Sequence, residues 1–307
     1  MITFVLRRVA GLVPTLFVLV TLSFFMIRLA PGGPFDDEQP LPPAIRANID
    51  AAYGLDAPLV TQYGRYLAAL THGDLGPSLR FKDFRVTELI ANGLPLSLTI
   101  GVAAALLAML IGVPLGAWAA WRADSVLDHA LMTGALLAVV LPGFVVGPVL
   151  ALVFGIYWPI FRIGGYEPGA VSFLVLPVVT LALPLAAYLA RLTRGSLHET
   201  LQSNFIRTAR AKGLTARTIL FRHALRPALM PVVSYLGPAI AFTVTGSLIV
   251  ESVFGLPGSG RYLVQGAINR DYPLVMGMVL VYGVFTLLCN LLADLVYAWL
   301  DPRVRLQ

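Results

Sequence analysis

Charged residues are scarce in this chain, and their scarcity excludes a soluble globular protein. Of the 307 residues only 12% are charged, whereas 58% are hydrophobic and the mean hydropathy is +0.81. An ordinary soluble domain carries about 25% charged residues. The composition therefore predicts an integral membrane protein.

Residues that usually carry chemistry are also few. The one cysteine, Cys289, lies in an apolar run and excludes an intrachain disulfide. His198-Glu199 does not continue to a second His, which excludes the common zinc-protease motif. Only two lysines occur, Lys82 and Lys212, both in predicted loops, which argues against a Ser–Lys pair buried in the membrane. The sequence thus predicts no catalytic, metal-binding or cofactor-binding site in this chain.

A phosphate-binding loop is absent as well. No GxxxxGK sequence occurs, so the chain cannot bind ATP through a P-loop, and any ATP-derived energy must come from another subunit. A nucleic-acid partner is disfavoured too, although the net charge is +6, because the cations cluster in loops rather than along an aromatic-bearing face.

Long apolar runs dominate what is present. A transmembrane helix needs about 20 apolar residues, and six runs satisfy this length. The first resembles a signal peptide but is long enough to remain as an anchor, and no small-residue cleavage site follows it. The sequence predicts an all-α bundle of six transmembrane helices, approximately Val9–Ala30, Leu94–Trp121, Ala130–Trp158, Val171–Ala190, Ala228–Val250 and Leu274–Leu300.

The distribution of charge predicts the topology. Arg191–Arg226 holds eight Arg or Lys and one acid, whereas Pro31–Gly93 holds eight acids and five bases. Since basic loops stay in the cytoplasm, both termini are predicted to be cytoplasmic. The predicted organisation is a transmembrane helix, an extracytoplasmic segment, a five-helix core that includes a cytoplasmic loop, and a cytoplasmic tail, at residues 1–30, 31–93, 94–300 (with the loop at 191–227) and 301–307.

The extracytoplasmic segment is predicted to contain two short amphipathic helices. Apolar residues recur on one face of Pro43–Tyr53 and of Pro58–Thr71. These helices either cap the bundle or help to seat an external binding protein.

Glycine and proline are predicted to interrupt the second to fifth spans, because proline removes a helical hydrogen bond. The positions are Gly112, Pro114, Gly116, Pro142, Gly143, Pro177, Pro184, Pro231, Gly237 and Pro238. Polar residues inside a span usually face the bundle interior or a water-filled path, although Asp294 could instead reach cytoplasmic water or a basic partner. The candidates for a pathway or gate are Pro142, Phe144, Asn290 and Asp294.

The basic loop has an internal pattern beyond its charge. Phe205–Leu214 is predicted to form a short helix, which Gly213 ends with a turn. Its small residues would allow close approach to another protein, and its cations would pair with carboxylates at the rim. The residues assigned to this surface are Arg207, Thr208, Ala209, Arg210, Ala211, Lys212 and Gly213. The alternative is a solvated loop that only fixes topology.

Two further patterns flank the fifth span. Thr215 is a predicted helix N-cap, after which Leu220, Ala224 and Ala228 recur every four residues. Beyond the span, glycine and proline fix a tight loop on the outer face, which is no phosphate cradle because no strand precedes it. The residues of this outer loop signature are Glu251, Gly255, Pro257, Gly258 and Gly260.

The basic segment resembles the EAA loop of bacterial ABC-importer permeases. The matching residues are Arg207-Thr208-Ala209, Gly213 and Pro231. In the dipeptide and oligopeptide branch of that family the leading Glu is commonly Arg, so Arg207 fits the branch. The resemblance extends along the chain through LRRVAGLVPTLF, MIRLAPGGPF, HGDLGPS, FIRTARAKGL, RHALRPAL, ESVFGLPGSG, NRDYPLV and LDPR. The chain is identified as a member of this family and is most similar to the B-type membrane subunits of oligopeptide permeases.

The resemblance implies a type I ABC-importer permease fold in the bacterial cytoplasmic (inner) membrane. It implies four further subunits or proteins: a second homologous permease, two subunits that bind ATP and Mg, and an extracytoplasmic peptide-binding protein. The Arg207–Gly213 helix is expected to fit a groove on an ATPase subunit, and the outer loop to form part of the outer gate.

Two alternatives stay open. Permeases of the same branch serve dipeptides, glutathione, murein peptides or nickel chelates. A carrier driven by an ion gradient would need inverted repeats or ion-coordinating acids at the midplane, and the sequence displays neither.

Overall fold

The structure, a computed structural model, describes residues 2–29, 51, 54–81 and 83–300. These residues form helices and no strand, with one isolated antiparallel bridge between Pro77 and Arg85. The first seven α-helices in chain order are α1 (Ile2–Leu29), α2 (Leu59–Thr71), α3 (Val86–Trp121), α4 (Val126–Val140), α5 (Gly143–Ala151), α6 (Val175–Gln202) and α7 (Asn204–Ala211). The remainder are α8 (Ala216–Thr218), α9 (Leu225–Ala228), α10 (Met230–Thr245), α11 (Ser247–Val253), α12 (Ser259–Ile268) and α13 (Tyr272–Leu300), with π-helical turns at Leu152–Tyr157 and Ile219–Ala224 and a 3₁₀ turn at Val171–Phe173.

The predicted all-α membrane class is confirmed. Within the described residues, five helices are long and apolar enough to cross a membrane, and the bent pair Val126–Val140 and Gly143–Tyr157 supplies a sixth candidate span. The second predicted amphipathic helix is present as α2. The first, Pro43–Tyr53, and the tail at 301–307 lie outside the described residues.

Two helices extend beyond the predicted spans. α3 begins at Val86 rather than Leu94, and α6 continues to Gln202 rather than ending at Ala190. Residues 191–202, predicted as part of the cytoplasmic loop, are therefore helical. Hydropathy marks only the apolar part of a helix, whereas a helix continues wherever its backbone hydrogen bonds and packing are satisfied. Thr193 and Leu197 are fully buried, which supports this extension of α6.

The predicted helix breaks are only partly confirmed. The third span bends by 99° between α4 and α5, where Pro142 precedes the first residue of α5. The fifth span breaks at Gly246 rather than at Gly237 or Pro238, and α10 contains Pro238. α3 runs unbroken through Gly112, Pro114 and Gly116, and α6 runs unbroken through Pro184.

Close packing explains the glycines of α3. A Cβ added at Gly112 would lie 2.4 Å from the carbonyl oxygen of Ala186, and one added at Gly116 would lie 2.2 Å from that of Ala190. Both distances are far below van der Waals contact. Helices in membranes use small residues to bring backbones together in this way. The two glycines therefore form a seam between α3 and α6 rather than a break.

The described residues divide into two compact units. The first comprises Leu96–Pro257 with the beginning of α1 and the end of α13. Its interior is a cluster of small and branched residues from α3, α6 and α10: Ala104, Ala105, Ala108, Ala182, Leu185, Ala186, Leu189, Val232 and Ala239. A second cluster in this unit holds α7 and the π-helical turn Ile219–Ala224 against the ends of α3 and α6.

The second unit comprises the rest of α1, α2, the start of α3, α12 and the first part of α13. The aromatic residues Phe24, Tyr63 and Tyr66 bind α2 to α1, with ring centroids 5.2 and 5.9 Å apart from Phe24. Thr21 and Tyr63 share a hydrogen bond of 2.6 Å between their hydroxyls. α2 is thus packed and hydrogen-bonded to the first span.

Candidate functional site

The short helix α7 is joined to α6 through one extended residue, Ser203. The backbone of Ser203 adopts φ −66° and ψ 155°, which ends α6 at Gln202. Its hydroxyl donates to the carbonyl of Thr200 at 2.6 Å, and its carbonyl accepts from the N–H of Arg207 at 3.1 Å. The junction is hydrogen-bonded on both sides, so the direction of α7 is fixed relative to α6.

One face of α7 packs inward. Ile206 is fully buried and Ala209 is 8% exposed, and both contact a cluster that includes Leu197, Ala224 and Ala228. The burial of Ala224 and Ala228 confirms the predicted four-residue repeat. Ala209, in contrast, was predicted to lie on the exposed small surface, and this placement is wrong. A three- to four-residue period puts Ile206 and Ala209 on the same face, and the large apolar Ile206 directs that face to the core.

The other face of α7 is exposed and basic. The exposed members are Arg207, Thr208, Arg210, Ala211 and Lys212, followed by Gly213. Guanidinium groups with accessible donors recognise carboxylates and other anions by charge-assisted hydrogen bonds. This face can therefore bind an acidic surface.

A glycine turn ends α7, as predicted. The N–H of Gly213 donates to the carbonyl of Arg210 at 2.9 Å, and the N–H of Leu214 donates to that of Ala209 at 3.3 Å. This pair of bonds is the Schellman arrangement, which needs a left-handed residue at its centre. Gly213 has φ +74°. The predicted N-cap that follows is confirmed, because the Thr215 hydroxyl accepts from the N–H of Thr218 at 3.3 Å.

A cavity of about 370 Å³ lies beside α7. It is lined by the ends of α3 and α6 and by two α7 cations: Ala120, Trp121, His198, Leu201, Gln202, Arg207 and Arg210. No acid lines it. The cavity extends the basic surface of α7 toward the ends of the neighbouring spans.

The pathway and gate candidates lie in different settings. Pro142 is at the 99° bend, and Phe144, the second residue of α5, is 57% exposed. The Asn290 Oδ1 atom is buried and has no hydrogen-bond partner among the described residues. The Asp294 carboxylate, which is 33% exposed, forms an ion pair with the Arg8 guanidinium at 2.9 Å. Arg8 is thus the kind of basic partner that the sequence analysis gave as the alternative to a pathway role for Asp294.

The outer loop signature begins with a buried carboxylate. Glu251, in α11, is fully buried and accepts a hydrogen bond from the hydroxyl of Ser247. Gly255 has φ +65°, and the N–H of Leu256 donates to the carbonyl of Glu251 at 2.8 Å. α11 thus ends in the same type of glycine turn as α7, and Pro257 follows it.

The later residues of the signature form the start of α12. Gly258 is the N-cap residue of α12, and Gly260 is buried in its first turn. A Cβ at Gly93 of α3 would lie 2.8 Å from the backbone nitrogen of Ser259, so the two backbones are in close contact.

A buried aspartate was missed at the sequence level. Asp271 is fully buried and accepts hydrogen bonds from the Ser78 hydroxyl and from the N–H of Arg80 at 3.2 Å. Its other oxygen accepts from the N–H of Leu274 at 3.3 Å, which caps α13. The stretches HGDLGPS and NRDYPLV were both noted, but nothing local indicates that they meet.

Within 2–29, 51, 54–81 and 83–300, no group of three or more His, Cys, Asp or Glu could hold a metal ion. What the site offers is an exposed basic helix rigidly attached to a membrane span. Such an arrangement can dock a partner and transmit displacement.

The described residues form a multi-span helical bundle with a short basic helix between its spans, an arrangement typical of a membrane permease. Family models match the chain over residues 1–99 and 112–306, described as the N-terminal part and the main part of a binding-protein-dependent transport system inner membrane component. The chain belongs to this family, and it is an integral protein of the inner membrane.

Individual relatives match over the full length. The chain is 50% identical over 305 residues to the oligopeptide transport system permease protein OppB of Salmonella typhimurium, covering 99% of this chain and 100% of that protein. It is 37% identical over 307 residues to the dipeptide transport system permease protein DppB of Bacillus subtilis, covering 100% and 99%. The predicted family is confirmed.

Solved structures confirm the type of fold. The MetNI methionine ABC transporter in an inward-facing conformation matches with a TM-score of 0.54 and 20% identity, covering 70% of this chain and 97% of the matched chain. The predicted type I ABC-importer permease fold is therefore confirmed.

Proposed function

We propose that this chain forms half of the translocation pathway of an ATP-driven importer of oligopeptides. The observation that carries the proposal is 50% identity along the whole chain to a protein named as an oligopeptide permease. The relevant partners are a second homologous permease, two ATP-hydrolysing subunits that hold ATP and Mg, and an extracytoplasmic peptide-binding protein.

In this proposal α7 is the docking element for an ATPase subunit. Arg207, Arg210 and Lys212 present cations to acidic groups on the ATPase, and Thr208 and Ala211 leave room for close approach. Closure of the ATPase pair displaces α7, and the hydrogen-bonded junction at Ser203 passes the displacement to α6. Alternating exposure of the pathway follows from rearranging the spans.

The residues of the pathway would select peptides weakly. Peptides share a backbone but differ in side chains, and the chain offers few charged groups inside its spans. Asn290 has a buried side-chain oxygen with no hydrogen-bond partner among the described residues, which suits a group that contacts water or a passing peptide amide. Phe144 at the bend, 57% exposed, is suited to narrowing the pathway.

Dipeptide import is the second candidate function, because the chain is also 37% identical to a dipeptide permease. The two candidates differ in the length of peptide that the complete system takes up.

The test is reconstitution of the chain with the proteins encoded beside it. Co-purification should recover the homologous permease and the ATPase subunits, and peptide-loaded binding protein should stimulate ATP hydrolysis. Uptake of labelled tri- to pentapeptides that dialanine does not outcompete supports an oligopeptide importer. Stimulation by dialanine alone supports the dipeptide candidate, and uptake that persists without ATP under an ion gradient contradicts both.

A further inference from the structure

A buried ion pair joins α4 to α6. The Arg194 Nη2 atom donates to Oδ2 of Asp128 at 2.7 Å, and Nε donates to Oδ1 at 3.2 Å. The Asp128 side chain is 3% exposed and that of Arg194 is 27% exposed. Such two-point contacts between guanidinium and carboxylate fix orientation as well as distance.

The carboxylate is held in place by its own helix. Asp128 accepts from the backbone N–H of Asp124 at 3.0 Å, and its N–H donates to the hydroxyl of Ser125, the N-cap of α4, at 3.2 Å. A negative charge in the first turn of a helix is favoured by the helix dipole. Asp124, whose carboxylate is 4.0 Å from Arg194, is 85% exposed and adds little.

α4 buries few of its side chains. Of its 15 residues only Asp128 and Ala135 are buried, and it packs chiefly along α6. Large side chains elsewhere on the helix are exposed, including Val126 at 87% and Leu137 at 60%. Near its start, the two-point contact with Arg194 adds a directional polar attachment to this packing of α4 along α6.

Arg194 lies about two turns before the end of α6 and so close to α7. Leu197 of α6 and Ile206 and Ala209 of α7 are buried in the same cluster. With the hydrogen bonds at Ser203, this packing makes the end of α6 and α7 a single rigid element. The ion pair attaches α4 to that element, and α4 leads directly to the 99° bend at Pro142.

We infer that the Asp128–Arg194 pair is a positioning contact that makes α4 and the bend of the third span follow the movement of α7. Displacement of α7 by an ATPase subunit then reaches Pro142 and Phe144 through α6, the ion pair and α4. The inference rests on the proposed function, since it requires α7 to be the docking element.

The first experiment measures trialanine uptake per ATP hydrolysed in the complete reconstituted complex. Asp128→Asn and Arg194→Gln should assemble and retain basal ATPase activity, while uptake per ATP falls about tenfold, the scale of one lost charge-assisted interaction. Arg194→Lys keeps the charge but loses the two-point geometry, so an intermediate value is expected. The exchange variant Asp128→Arg/Arg194→Asp should regain part of the coupling.

The matched control is Arg162→Gln, which breaks an exposed ion pair of 3.0 Å with Glu167. Exposed pairs contribute little, so uptake per ATP should not change. If Asp128→Asn and Arg194→Gln leave this ratio at the wild-type value, the inference is overturned. If every variant of the pair, including Arg194→Lys, fails to assemble, the pair serves folding alone and the inference is equally overturned.

The second experiment tests whether α4 and α7 move together. Spin labels are placed at the exposed positions Leu136 and Asn204, both outside the docking residues of α7, in a Cys289→Ala background, and their separation is measured with and without ATP. In the protein with the intact ion pair, the distance between the two labels should be the same with and without ATP. Arg194→Gln should broaden the distribution of this distance. A wild-type distance that changes with ATP overturns the inference. Absence of ATP-dependent uptake in the wild-type complex would instead contradict the proposed function.

Discussion

At the scale of single residues, two glycines of this protein are required for different reasons. Gly213 has φ +74°, and no atom lies within 4 Å of where its Cβ would be. Glycine is therefore required at this position by the backbone conformation and not by lack of space. Gly116 has no positive φ, but its Cβ would lie 2.2 Å from the Ala190 carbonyl oxygen, so its requirement comes from space. A left-handed conformation costs other residues about 1–2 kcal/mol, whereas a backbone clash has to be relieved by separating helices.

Substituting Gly213 should disturb the end of α7 without disturbing insertion. Gly213→Val is expected to lose coupling between ATP hydrolysis and uptake, because the β-branched side chain strains the turn by roughly 1–3 kcal/mol. Membrane insertion and the ATPase response to peptide-loaded binding protein are the measurements. The control is Gly195→Val in α6, where no atom lies within 4 Å of the Cβ position and φ is not positive. If Gly213→Val and Gly195→Val gave the same ATPase response, the turn at Gly213 would have no specific role in coupling.

Asp271 is expected to hold the segment around Ser78 in place. Asp271→Asn removes the charge from three hydrogen bonds, and hydrogen bonds to charged groups contribute about 1.5–3 kcal/mol. Hydrogen exchange of the Arg80 and Phe81 amides should therefore accelerate. Asp74→Asn is the control, because the Asp74–Arg85 pair is exposed at 42% and 61%. Unchanged exchange in Asp271→Asn would show that the carboxylate does not secure this segment.

At the scale of helices, the molecule places small residues where helices meet. α3 meets α6 at Gly112 and Gly116, and it meets α10 at Gly101, whose Cβ would lie 2.8 Å from the Cα of Val244. α10 meets α13 at Gly237, whose Cβ would lie 2.9 Å from the carbonyl oxygen of Cys289. Without a hydrophobic force between helices in lipid, such close packing supplies the attraction.

The seam between α3 and α6 provides a stability prediction. Gly116→Ala should force the helices apart and lower the thermal stability of the purified complex, by the roughly 1–3 kcal/mol that overpacking costs. Gly134→Ala in α4, with no atom within 4 Å of its Cβ position, should leave the melting temperature unchanged. A melting temperature of Gly116→Ala equal to that of Gly134→Ala would contradict the close approach.

At the scale of the whole molecule, the distribution of charge divides the chain into functional regions. The spans are almost free of charge, whereas Arg191–Arg226 holds eight of the 22 Lys and Arg residues. α7 exposes two of these cations, Arg207 and Arg210, and buries Ile206, and the exposed Lys212 follows directly after the helix. The same segment thus serves topology through its net charge and docking through the arrangement of that charge.

Reversing charge on α7 separates these two roles. Arg207→Glu/Arg210→Glu should reduce association with the ATPase subunits by at least tenfold, because two favourable pairs become repulsive. Co-purification and peptide-stimulated ATPase activity are the measurements. Arg217→Glu/Arg222→Glu is the matched control, since it changes the net charge of the same segment equally but lies outside α7. An equal loss in both double variants would assign the effect to net charge rather than to α7.

The sequence by itself determined the membrane class, the turn at Gly213 and the family. Each of these depends on hydropathy, local backbone preference or a contiguous motif, all of which are properties of neighbouring residues. The tertiary structure alone decided that α3 and α6 run unbroken through their glycines and prolines. It also paired Asp128 with Arg194 and Ser78 with Asp271, 66 and 193 residues apart in the chain. Such contacts depend on which helices pack together, and no local pattern carries that information.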